Sequence, residues 1–201
     1  RCIIPFNILF YVTVIIMVSK EMYELGAKSS VIREIFEFGK KRAAEIGKEN
    51  VYDFSLGNPS VPAPEKVNET IRKLTLEMEP CALHGYTSAV GDNETRQAIA
   101  DDLNRRFGTS FSMNNFYMTA GAAASLCITF RALAEKDDEI IIFAPYFPEY
   151  QVFISASGAK PVEVKCKEDD LQIDLEAFKN AINEHTKAVV LNSPNNPSGV
   201  V

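Results

Sequence analysis

Between residues 116 and 191 short apolar runs alternate with helix-length segments, and this rhythm restricts the fold more than any other feature of the chain. The sharpest run is Glu139-Ile140-Ile141-Ile142-Phe143. A strand with one wet face alternates apolar and polar residues, so an unbroken run predicts a strand covered on both faces. Phe116-Tyr117-Met118-Thr119, Pro161-Val162-Glu163-Val164 and Lys187-Ala188-Val189-Val190-Leu191 are further predicted strands. Helices are predicted over residues 122–135 and 148–156, the latter broken by Gly158. Another starts at an Asp174 cap and carries Leu175, Phe178 and Ile182. Strands joined through helices imply right-handed crossovers. The prediction is an α/β fold of three layers, a mostly parallel sheet flanked by helices, with any ligand beyond the carboxyl ends of the strands.

Upstream, Ser30 is placed to cap a helix whose apolar face is Ile32, Ile35, Phe36, Ala43 and Ile46, ended by Gly47. Val51 to Ser55 reads as a short strand. Pro64 opens a helix carrying Val67, Ile71, Leu74 and Met78, and Pro80 closes it. Asp92 begins a helix with Glu94 in its first turn and Arg105 and Arg106 in its last, signs that suit the helix dipole. Ile99, Leu103 and Phe107 would face inward, and Gly108 stops it.

The 46% hydrophobic content of the 201 residues is ample for a packed interior and excludes disorder as the main state. A net charge of −6 argues against a nucleic-acid surface; Lys40-Lys41-Arg42 and Arg105-Arg106 read as solvated helix faces. Cys2, Cys81, Cys127 and Cys166 are scattered and only His84 and His185 supply imidazole, so no metal site is expected. Such thiols fit a reducing, cytoplasmic setting. Residues 1–16 form an apolar extension ahead of Met17, interrupted by Pro5 and Asn7 and short of the ~20 residues of a bilayer span. It is read as not native, with a membrane anchor as the alternative.

Four turns carry candidate chemistry. Thr119-Ala120-Gly121-Ala122-Ala123-Ala124-Ser125 leads from a predicted strand into a helix, where free N–H groups, the dipole and small side chains make an anion cradle. Tight helix-on-sheet packing favours the same residues. Ala144-Pro145-Tyr146-Phe147-Pro148-Glu149-Tyr150 is an aromatic loop that could stack a flat ligand or simply join the core. Asn192-Ser193-Pro194-Asn195-Asn196-Pro197-Ser198-Gly199 presents amide side chains on a proline-fixed turn, and Leu56-Gly57-Asn58-Pro59 lets a ligand approach the backbone.

In order, and together with His84-Gly85-Tyr86-Thr87 and Gly91, these segments resemble the fold-type I pyridoxal-phosphate aminotransferases of classes I and II, aspartate or aromatic aminotransferase-like, over everything after Met17. The resemblance implies pyridoxal 5′-phosphate as cofactor, with its phosphate on the backbone of Gly121, Ala122 and Ala123. It implies Phe147 stacked on the pyridine ring where relatives carry Tyr or Trp. Asn196 would bond the phenolic oxygen, Gly57 would lie against the substrate carboxylate, and Tyr86 would reach the phosphate of a neighbouring subunit. It further implies amino acid and 2-oxo acid substrates, a cytoplasmic homodimer, and no nucleic-acid or membrane partner. Residues 17–55 would begin the small domain and 56–201 form the first half of the cofactor-binding large domain.

The Schiff-base lysine, the carboxylate for the pyridinium nitrogen and the substrate-binding arginines lie downstream of the Asn-Pro turn in that family. No catalytic residue is therefore assigned within the chain, which is read as the N-terminal part of a longer enzyme and expected to be inactive alone. Its sheet edge, bare of later strands, predicts poor solubility. A C–S lyase, decarboxylase or synthase on the same cofactor, and a non-catalytic pyridoxal-phosphate-binding regulator, are the alternatives. Dehydrogenase, kinase and serine hydrolase readings fail for want of their glycine motifs.

Overall fold

A computed structural model describes residues 18–27, 31–57, 59 and 61–201. The apolar extension, the Ser30 cap and Asn58 lie outside the described residues. The chain divides into two compact units, Arg1–Leu83 and His84–Val201.

The described part of the first unit is helical: α1 (Lys20–Ala27), α2 (Val31–Ile46), α3 (Glu65–Glu77) and the short α4 (Pro80–His84), which crosses its boundary. α2 ends at Gly47, whose φ of +91° belongs to the left-handed region, and Asn50 donates its side-chain amide to the exposed Ile46 carbonyl at 2.7 Å. Pro64 stands at the N-cap of α3. Pro80 does not only close that helix; it begins α4. The predicted strand at Val51–Ser55 does not form. Asp53 accepts from the Ser55 amide and hydroxyl in a local turn, and its carboxylate lies against Gly39 of α2. Turn bonding of this kind takes the backbone out of a ladder.

The second unit is built from α5 (Asn93–Phe107), α6 (Gly121–Leu133), β1 (Glu139–Ala144), α7 (Glu149–Ser157), β2 (Lys160–Lys165), α8 (Leu175–Ala181) and β3 (Thr186–Val189). The strands pair in the order β2-β1-β3, both pairs parallel. Ile140, Ile141 and Ile142 of β1 are 0% exposed, each full burial contributing about 1.5–3 kcal/mol. Ile140 and Ile142 point to one face, against Phe130 of α6 and Tyr150 and Ile154 of α7. Ile141 and Phe143 point to the other, where Phe143 meets Phe178 of α8 edge-to-face at 5.3 Å. The three predicted layers are thus present. The chain travels from β1 outward to β2, then back past β1 to β3; a uniform crossover hand puts α7 and α8 on opposite faces, as observed.

Asp92 caps α5 by accepting from the Thr95 amide at 2.8 Å, and Gly108 ends it at φ +65°. Phe107, expected inward, is 63% exposed, and Leu175 and Ile182 at the two ends of α8 are 62% and 50% exposed. Residues 116–119 are extended but unpaired as a strand; the Met118 amide makes one bond, to the Val90 carbonyl at 3.0 Å. That bond ties them to Gly91, which is buried at φ +98° with the Met118 side chain where its Cβ would be.

Candidate active site

Chain geometry sets three of the four turns at one rim. α6 is 13 residues and runs directly into β1 through a short turn. At about 1.5 Å per helical residue it spans about 20 Å, and six strand residues at about 3.3 Å span the same. Packed on the sheet, α6 therefore begins level with the carboxyl end of β1, where the 145–148 loop begins. The Asn-Pro turn follows β3, parallel to β1, and so stands at the same end.

The α6 entry is open. Ala120 is its N-cap residue and no side chain caps the first turn, whereas Asp92 caps α5 and Asp174 caps α8 through the Glu176 and Ala177 amides. The Ala122 and Ala123 N–H groups consequently lack a side-chain acceptor. Gly121 has φ +84°, and a Cβ built on it meets nothing within 4 Å; Ala122 and Ala123 are exposed. Tight packing is therefore not the reason for the small residues here, and the turn keeps the form of an anion cradle. Thr119 braces it, its hydroxyl donating to the Gly121 carbonyl at 3.0 Å and lying 2.5 Å from the Ser125 hydroxyl.

Phe147 is half-buried against the Ile140/Ile142 cluster and meets Tyr150 edge-to-face at 5.6 Å. Beside it, Tyr146 donates its hydroxyl to Glu163 of β2 at 2.8 Å and accepts from the Gln151 amide. Burial first, and then Glu163, pushes the Tyr146 hydroxyl up to about 12. From the far side, Asn195 donates to the Pro145 carbonyl at 3.0 Å and to the Ser198 hydroxyl at 2.8 Å. Asn196, next in sequence, is exposed and its side chain has no hydrogen bond among the described residues. A cavity of about 200 Å³ opens beyond the strands, lined by Phe143, Cys166, Ile173 and Val190 with Tyr146 and Asn195. It touches none of Gly121, Phe147 and Asn196, and its apolar walls suit an anionic ligand less than the open amides of α6 do.

The structure thus joins the aromatic loop to the Asn-Pro turn and sets the Gly121 turn at the same rim. Tyr86 belongs to the same unit but stands fully exposed. Gly57 belongs to the first unit, exposed, with open space where a Cβ would be. Sequence reasoning missed Glu163 and Gln151, which carry no local signal. It also missed Arg96, which is 4% exposed and gives the Met113 carbonyl two N–H bonds at 3.1 and 2.8 Å.

Residues 49–201 match the family described as aminotransferase class I and II. The chain belongs to that family. It is 35% identical over 158 residues to an aspartate aminotransferase of Sulfolobus acidocaldarius, covering 75% of this chain and 38% of that one. Over 188 residues it is 32% identical to an aspartate aminotransferase of Thermotoga maritima, covering 92% of this chain and 47% of the relative. An amino transferase of known structure from Eubacterium rectale shares 59% identity and a TM-score of 0.86 over 90% of this chain and 46% of its own. The chain spans less than half the length of each of these relatives. Pyridoxal 5′-phosphate is the cofactor of such aminotransferases. The uncapped α6 entry offers donors for its phosphate, and the half-buried Phe147 and unengaged Asn196 offer a ring and an amide for the rest.

Proposed function

We propose that the full-length protein is a pyridoxal-phosphate-dependent aminotransferase, moving an amino group between an amino acid and a 2-oxo acid. The observation that carries this reading is the open, positive-φ entry to α6 at the same rim as the aromatic loop and the Asn-Pro turn. When bound, pyridoxal phosphate supplies an electron-accepting ring and an aldehyde carbon able to take up the amino group. Within this chain, the Gly121, Ala122 and Ala123 backbone holds the phosphate, with no side-chain anion to compete. Phe147 covers one face of the ring and excludes water from it. Asn196 donates to the phenolic oxygen and favours its ionised state. Gly57 leaves room for the substrate carboxylate, and Tyr86, free at the surface, reaches the phosphate in the partner of a homodimer.

The lysine that anchors the cofactor, the carboxylate for the ring nitrogen and the arginines for substrate belong to the rest of the enzyme. Residues 17–55 start its small domain and 56–201 its large one. The proposed setting is cytoplasmic amino-acid biosynthesis. Aspartate is the first donor to try, because the relatives are named for it.

The test is to supply the full-length protein with the cofactor, aspartate and 2-oxoglutarate, and to follow oxaloacetate and glutamate together. Equimolar appearance of both supports the reading. Amino acid consumption without glutamate points to a lyase or decarboxylase, and cofactor binding without turnover under any donor points to a regulator. Phe147→Ala should weaken cofactor binding by about tenfold in titration.

A further inference from the structure

The Pro145–Phe147 loop has little backbone bonding of its own. Pro145 has no N–H, its carbonyl accepts from the Asn195 side chain, and the Phe147 carbonyl accepts from the Tyr150 amide at 3.0 Å. Glu163 is the register partner of Ile142, so its side chain stands on the face covered by α6 and α7, where it meets the Tyr146 hydroxyl. Gln151 of α7 holds the same hydroxyl from behind. In the order β2-β1-β3 the loop after the central strand is thus tied on one side to β2 and on the other to the turn after β3.

We infer that Tyr146 and Asn195 are positioning residues, which preset the Phe147 ring by holding its loop from both flanking strands, Tyr146 through Glu163 and Asn195 through the Pro145 carbonyl. The inference rests on the proposed role of Phe147 against the cofactor ring. Neither residue need touch the cofactor. Two side-chain bonds replace the ladder bonds that end with β1, and a loop held from one side only can swing about the remaining tie. Removing the Tyr146 hydroxyl keeps its ring, its packing and the fold, so the effect of the tie can be read apart from stability.

The experiment uses the full-length protein with Tyr146→Phe, Glu163→Ala and Glu163→Gln. Hydrogen exchange is read first without cofactor, at the Tyr150 amide, whose acceptor is the Phe147 carbonyl. Exchange there should rise about tenfold in Tyr146→Phe and Glu163→Ala. It should return toward the parent rate in Glu163→Gln, which can still accept from the hydroxyl. Amides of Ile141 and Ile142 should be unchanged. Pyridoxal 5′-phosphate should then bind about tenfold more weakly to the first two variants, with inorganic phosphate affinity the same. Unaltered Tyr150 exchange in both variants would overturn the inference, as would raised exchange with unchanged cofactor affinity. A parent protein that binds no cofactor overturns the proposed function instead, and the exchange arm still decides whether the loop is held.

Discussion

Helices of the first unit are patterned as regularly as those of the second, with Ile32, Ile35, Phe36, Ala43 and Ile46 on one side of α2 and Val67, Ile71 and Leu74 on one side of α3. Yet none of the described residues up to Leu83 is buried, and Ile35 is 51% exposed. In the second unit, β1 alone places three isoleucines wholly out of water. A helix satisfies its backbone within itself and can form with a bare apolar face, whereas a strand exists only beside a partner. The two units separate local order from interior order: the first has one without the other.

The largest expected contrast is between core truncations. Ile142→Ala should cost about 2–5 kcal/mol in urea unfolding of the 201-residue chain, by lost burial and a cavity beside Phe130 and Ile154. Ile35→Ala should change stability by about 0.5 kcal/mol or less. Equal costs would mean that the α2 face is covered in solution, and the contrast would fail. Next comes Arg96→Ala, which strips the Met113 carbonyl of both donors and should cost about 2 kcal/mol by the same measurement. Arg96→Lys should recover little of it, since one ammonium cannot reproduce two parallel N–H bonds from a rigid fork.

A smaller effect is expected at the α8 cap. Asp174→Ala should lose about 1 kcal/mol, read as a fall in the denaturant midpoint, and Asp174→Asn should retain most of it. The smallest effects are on pH dependence. Hydrogen bonds from the Thr95 amide and then its hydroxyl hold the Asp92 carboxyl below its ordinary 3.8. Stabilisation from a lowered carboxyl is present above that value and drains as the medium grows more acid. Asp53 in the first unit, lowered by the Ser55 hydroxyl, acts in the same direction. Tyr146 acts in the other: raised from 10.0 to about 12, it stabilises fully below pH 10 and loses this as pH climbs through that interval. Thermal melts across pH should therefore show an acid limb reduced by Asp92→Asn and Asp53→Asn. The alkaline limb should be reduced by Tyr146→Phe, a change confined to the second unit.

What could be read in advance follows the same division. The run at 139–143 announces its own environment, because four consecutive large apolar side chains, β-branched for the most part and stopped by Pro145, suit a strand covered on both faces. Asp92, Gly108, Asp174 and Gly158 announce helix ends, because capping acts within a few residues. Val51–Ser55 and Phe116–Thr119 have strand composition and form no ladder, since composition cannot say whether a partner lies alongside. Asn195 and Asn196 are chemically identical neighbours, and only the folded turn sends one to the Pro145 carbonyl and leaves the other free. The Tyr146–Glu163 bond joins a loop to a strand 17 residues on, with the whole of α7 between them, so no local pattern records it.

Among the three described strands, the first in sequence is also the middle one. A nascent chain can lay down β1 first, add β2 along one side as soon as α7 is made, and finish with β3 along the other. Among these three strands growth proceeds outward from a seed, and neither β2 nor β3 has to be threaded between neighbours that have already zipped together. The cost of this order is that the three isoleucines of the seed stay without a strand on either side until β2 and then β3 have been made.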